Sequence, residues 1–397
     1  MHHQPDIHAT PASGRHYGMD WLRIAAFGVL IAYHIGMVFA PWLWIIKARE
    51  TWAWLIPPMA FVTPWRLGLL FAVSGYASRT LFARSGGVRA FLASRNARLL
   101  VPLAVAMAAI VPVEMWVRVR LGGYEGDYLT FWTRDYWRVG AFHGVSFPSW
   151  EHLWFVAYLW TYTLALGAVL ASGMRADAVV AWLCRGRRLL WVPAAAIAMA
   201  KLVFMVIVPE RHALLTDWGG HSEYGALFAF GFVLAGSPRL WAAVRRLMLP
   251  ALALAVPAGL VVVWVEWTWP GAEIPPHAEM AADRAARAAM AWSMTVALFA
   301  AADRWLNRDH RWRAPLARAV FPAYILHHGT IVLTAWWILP LAPSPVIAAA
   351  VIAAATLGVC VAGYALGSRV RWIGAAIGMP HRAPPPERAV GRAAALR

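Results

Sequence analysis

The sequence predicts an all-α integral membrane protein: a polytopic bundle of about ten transmembrane helices with both termini in the cytoplasm. Three observations predict it. The 397 residues are 61% hydrophobic and only 14% charged, where soluble domains carry roughly 25% charged residues. Mean hydropathy is +0.55, and the apolar residues gather into runs near the roughly 20 residues that cross a bilayer core. The 25 Trp and 11 Tyr suit a chain whose amphipathic rings sit at membrane–water interfaces.

Taken in order, the expected spans are Met19–Ala40, Pro57–Thr80, Leu99–Val117, Trp150–Ala171, Leu189–Val208, Ser222–Gly236, Leu247–Trp267, Ala288–Ala302, Ala319–Leu339 and Pro345–Leu366, the sixth and eighth being short. Residues 1–18 are polar and form a cytoplasmic N-terminal segment. The apolar run after them is too long for a signal-peptide core and reads as an uncleaved first helix. Residues 19–368 make the membrane domain. Residues 369–397 make a cytoplasmic tail, rich in Pro, Ala and Arg from His381 and expected to be disordered.

Orientation follows from the alternation of basic loops. The N-terminus, four alternate loops and the C-terminal tail hold 24 Lys and Arg, against 9 in the remaining loops, and the richer set is expected inside. The long connections Arg118–Ser149 and Thr268–Arg287 then lie outside. The first, with Gly122, Gly123 and several aromatics, reads either as a cover over an outer site or as a plain solvated connection. The net charge of +17 raises a nucleic-acid partner, but the basic residues form short clusters between apolar runs, so the lipid bilayer is the expected partner. Cys184 and Cys360 are too isolated for a disulfide framework or a metal-ligand pattern, and no metal is expected.

Ionisable residues at membrane depth are costly and face a cavity or a partner. The first span carries Asp20, Arg23 and His34. The eleven-residue step from Arg23 to His34 is about 20° past three full turns with a rise of roughly 16 Å. Both therefore share one face, Arg23 near the inner surface and His34 beyond the midplane, and Asp20 is placed to pair with Arg23. The second span, FVTPWRLGLLFAVSGYASR from Phe61, holds Arg66 toward its outer end and small residues at Ser74 and Gly75. Arg66 reads either as lining a pocket or as snorkelling to the interface. Arg95 and Arg98, one turn apart at the start of the third span, suit a phosphate clamp or ordinary positive-inside charge. Glu114, Glu151, His152, His221 and Glu223 lie near the outer surface, where convergence would make an acid/base-rich pocket. His327 and His328 sit near the midplane of the ninth span. Adjacent helical positions point about 100° apart, so only one is expected to face the interior. A neutral imidazole in apolar surroundings is a suitable general base for a hydroxyl attacking a thioester.

Four segments together resemble the acyltransferase-3 family of membrane acyltransferases, in particular the branch of the glucan-succinylating protein of periplasmic glucan synthesis. They are MDWLRIAAFGVLIAYHIGMVF with its Arg23–His34 spacing, LLFAVSGYASR, the Arg95/Arg98 pair before a proline-containing helix, and HLWFVAYL from His152 followed later by PAYILHH. They span residues 19 to 328. The Trp65-Arg66 pair departs from the family, where an apolar pair is common. The resemblance implies transfer of an acyl group from cytoplasmic acyl-CoA to a hydroxyl of a sugar or glycan, in the bacterial inner membrane, with no permanently bound cofactor. It implies a catalytic role for His34, as base or transient acyl acceptor, with Arg23 holding the donor and Asp20 beside it. Arg95 and Arg98 would bind the CoA phosphates, and Arg66, Glu151, His152 and His328 are assigned to the substrate pocket. The alternative is a transporter or flippase for an anionic or glycan substrate, but no Gly/Pro-interrupted helices recur in matching halves.

Overall fold

The computed structural model describes residues 16–207 and 213–379. In chain order its helices are α1 (Tyr17–Phe39), α2 (Ile56–Phe82), α3 (Val88–Ala109), α4 (Val111–Leu121), α5 (Tyr128–Thr130), α6 (Trp154–Ala171), α7 (Asp177–Leu183), α8 (Arg188–Ile207), α9 (Trp218–Leu234), α10 (Pro238–Arg246), α11 (Met248–Thr268), α12 (His277–Trp305), α13 (Arg313–Ile338), α14 (Pro345–Arg369) and α15 (Arg371–Ala376). The chain is an all-α polytopic membrane protein. Among the described residues, eight helical stretches are long and apolar enough to cross a bilayer, or nine if α9 and α10, bent by 114° between them, count as one span. The fifth expected span coincides with α8, although its end at Val208 lies outside the described residues.

Several boundaries differ from the sequence-based ones. The third helix starts eleven residues early, at Val88 behind Gly87, whose φ of 116° suits glycine. It continues past a break at Ile110 into α4, which opens with Pro112. Arg95 and Arg98 thus lie two turns inside a helix and not at its start. The connection 268–287 is half helical, because α12 begins at His277. Within it, Arg287 reaches Asp283 at 2.6 Å and Glu266 at 2.5 Å. The expected disordered tail begins with order instead. Residues 371–379 fold back, Ile377 is buried, and Gly378 lies against Phe321 and Pro102. Residues from 380 onward lie outside the described part.

Two features position the functional residues. First, α13 is central: α1, α4 and α14 all pack on it, which gives it interior neighbours on more than one side. Second, the connection after α4 is a folded cap. Tyr124, Phe131, Tyr136 and Phe147 form its core, and a small antiparallel hairpin pairs β1 (Gly140–Phe142) with β2 (Val145–Phe147). Its only fully enclosed carboxylate, Asp135, takes hydrogen bonds from Tyr124 (2.7 Å), Arg134 (3.0 Å) and Arg138 (2.5 Å). The cap is tied to the bundle by Trp132 to the Ala108 carbonyl and Tyr136 to the Met107 carbonyl. The segment is therefore folded and docked on the bundle.

Candidate active site

His34 lies on the face of α1 that packs against α13. The equal-face argument for Arg23 and His34 holds, since both side chains reach α13: Arg23 bonds the Ala317 carbonyl at 3.0 Å, and His34 Nδ1 lies 2.9 Å from His327 Nε2. His327 Nδ1 lies 2.7 Å from the Tyr324 carbonyl. A carbonyl oxygen only accepts, so His327 carries its proton on Nδ1 and, when neutral, accepts at Nε2. His34 must then donate from Nδ1. That leaves its Nε2 with a free lone pair and no protein partner among the described residues. The backbone of α13, through one histidine, therefore sets the tautomer of another.

A second layer stands beside this pair. Glu114 of α4 is fully buried. Its Oε2 accepts from His328 Nδ1 at 2.8 Å, and its Oε1 lies 3.2 Å from His152 Nδ1. The rings of His152 and His328 stack at 4.7 Å, and His328 meets the His34 ring edge-on at 4.9 Å. Tyr324 donates to the His152 carbonyl, fixing the lead-in to α6 against α13. The sequence offers no metal-ligand spacing. Yet the fold brings donor atoms of Glu114, His152 and His328 within 4.8 Å of one another, a set that by residue type suits a divalent metal. The orientation of His328 toward Glu114 is that of a hydrogen bond within the set.

The expectation that only one of the two adjacent histidines faces inward is overturned. The 100° between them is real, but a central helix has an interior neighbour in each direction. His327 faces α1 and His328 faces α4, and both are buried. His327 and Glu114 join the cluster although the sequence-based site assignment left them out. The adjacency in PAYILHH and the lone carboxylate in α4 were the signals.

Other expected site residues fall elsewhere. Glu151 pairs with Arg118 at 2.8 Å and accepts from Ser149, which ties α4 to the lead-in of α6. Asp20 lies 3.7 Å from Arg23 but 2.5 Å from Arg313, at the start of α13, so its stronger tie crosses between helices. Arg95 points to Thr163 of α6 at 3.4 Å, while Arg98 is exposed. Among the described residues, no hydrogen bond or ion pair joins either of them to the histidine cluster. Arg66 is buried, with its Cζ 3.5 Å above the Tyr33 ring. His221 and Glu223 belong to a separate polar group, His221 with Tyr162 (2.9 Å) and Glu223 with Lys201 (2.7 Å). An open groove of about 560 Å³ between α8 and α11, lined by Trp191 and Leu254 among others, includes none of these residues.

A family model described as an acyltransferase domain matches residues 16–365. That range holds α1 to α13 and most of α14, with the whole histidine cluster. The chain belongs to the acyltransferase-3 family. The acyltransferase is thus an enzyme that moves acyl groups other than aminoacyl groups, from within a membrane. The family favours catalysis over the transport alternative. No curated protein matches the chain, and no solved structure matches it.

Proposed function

We propose that this acyltransferase moves an acyl group from acyl-CoA to a hydroxyl of a sugar or glycan, with His34 as the general base. The observation that carries the reading is the locked tautomer of His34, whose Nε2 is the free basic atom. The acceptor hydroxyl oxygen attacks the thioester carbonyl carbon while its proton passes to His34 Nε2. The tetrahedral adduct then collapses, the C–S bond breaks, and the leaving thiolate takes the proton back from His34. No net charge is left on the enzyme. The His34–His327 hydrogen bond holds the ring while its charge changes, and the Glu114 carboxylate beside His328 stabilises the transient imidazolium.

The direction of the path is part of the same proposal. Arg23, Arg95 and Arg98 lie toward the end rich in basic loops, which we take as cytoplasmic, and the donor would enter there. The histidines lie toward the capped end, from which the acceptor would come, in a bacterial inner membrane. His34→Ala is expected to leave a folded, membrane-extracted protein with no acyl transfer or thioester hydrolysis. Transfer at the wild-type rate by that variant would overturn the assignment.

A further inference from the structure

The mechanism above needs a place for negative charge when the thioester carbonyl becomes tetrahedral, and the two histidines of α13 do not supply it. His327 gives its proton to the Tyr324 carbonyl, and His328 gives its Nδ1 proton to Glu114. Glu114 is itself an anion. Arg66 is different. It is 8% exposed, its Nε and Nη1 have no hydrogen-bond partner, and no carboxylate pairs with it among the described residues. A buried, unpaired guanidinium is costly enough that its retention points to a bound anion.

Its place fits. Tyr33 and Thr63 hydroxyls meet at 3.1 Å, which sets that turn of α2 level with His34. Helical side chains lean toward the N-terminus of their own helix, so Arg66 reaches back to this level and lies on the Tyr33 ring. The Tyr33 and His34 centroids are 6.2 Å apart. The guanidinium is therefore no farther from the His34 ring than those two short distances combined. The phosphates of an acyl-CoA are held away from its thioester by the long pantetheine arm, so they are poor candidates for an anion this close to the base.

Resting on the proposed function, we infer that Arg66 is a further catalytic residue, whose free N–H groups stabilise the oxyanion formed as the thioester carbonyl is attacked at His34. Arg66 lies on the α2 side of His34 and Glu114 on the α4 side, so the positive group meets the oxyanion and the negative one meets the imidazolium.

The test uses the full-length purified protein, with water as acceptor and acetyl-CoA or succinyl-CoA as donor. Arg66→Met is expected to lower kcat about 10²–10³-fold, equally for both donors, with KM little changed. Arg66→Lys is expected to keep part of the rate, and added guanidinium to restore part of it in Arg66→Ala. A change in KM alone, or a loss confined to the donor with the extra carboxylate, would overturn the assignment in favour of a binding subsite. If Arg66→Met does not fold, the Lys variant and guanidinium rescue decide. His34→Ala is run in parallel. Activity at the wild-type rate there defeats the parent mechanism, whereas an inactive His34→Ala beside a fully active Arg66→Met defeats this inference alone.

Discussion

At the scale of single residues, the proposed catalysis rests on which ring nitrogen carries a proton. The Tyr324 carbonyl dictates the His327 tautomer, and His327 dictates that of His34. His327→Phe keeps an aromatic ring but removes the acceptor, so His34 can tip its proton to the wrong nitrogen. A fall in kcat of about 10²–10⁴-fold is expected, with the protein still folded. His327→Gln, which restores an acceptor, should recover part of that loss in the same kinetic assay and keep the pH profile closer to wild type. His34 itself was legible in the sequence, because a histidine sharing a helical face with an arginine is rare at membrane depth. His327 was not, because helical periodicity gives the angle between adjacent side chains and says nothing about how many neighbours the helix has. Glu151 and Glu114 show the same gap: sequence placed both carboxylates near one surface, but only packing decides that Arg118 takes one and the histidines take the other.

At the scale of elements, the closest helix contact is that of α2 with α9. A Cβ on Gly75 would lie 1.9 Å from the Phe228 carbonyl oxygen, and one on Gly231 would lie 1.8 Å from that of Ala72. The backbones touch because both positions lack a side chain. Gly75→Ala or Gly231→Ala is therefore expected to cost about 1–3 kcal/mol, read as a lower Tm in detergent. Since α2 also carries Arg66, a shift of this helix should lower activity beyond the loss of folded protein. The sequence exposed the small residues of α2 and the apolar runs, because lipid imposes length and composition on every span. It hid the early start of α3, whose first turns are polar, and the helical second half of the 268–287 connection, where Arg287 is held by Asp283 of α12 and Glu266 of α11. It also hid the order of 371–379, where short apolar residues dock on a bundle that hydropathy alone does not see.

At the scale of the whole molecule, the folded segment after α4 is held by one carboxylate, Asp135. The hydrogen bond from Arg134, joined by those from Tyr124 and Arg138, keeps the Asp135 carboxyl well below the usual carboxylate range, against its burial. A carboxyl pKa depressed by folding stabilises at pH above its unfolded value, near 3.9, and that stability is lost as pH falls through the folded-state value. Hydrogen exchange across residues 124–147 is therefore expected to stay slow at neutral pH and to speed up on strong acidification. Asp135→Asn should exchange faster at neutral pH and respond less to acid. An Asp135→Asn cap as protected as wild type at neutral pH would show that the aromatic core alone holds it.

The His34–His327 bond joins positions 293 residues apart, and the Asp20–Arg313 bond spans the same separation. A chain made from its N-terminus threads α1 into the bilayer long before α13 emerges from the ribosome. Until then His34 has no His327 to orient it, so under the proposed mechanism nascent and truncated chains are expected to be inert until the ninth expected span is seated. The two fragments made by cutting between α12 and α13 should each be silent and recover activity only when they meet in one membrane.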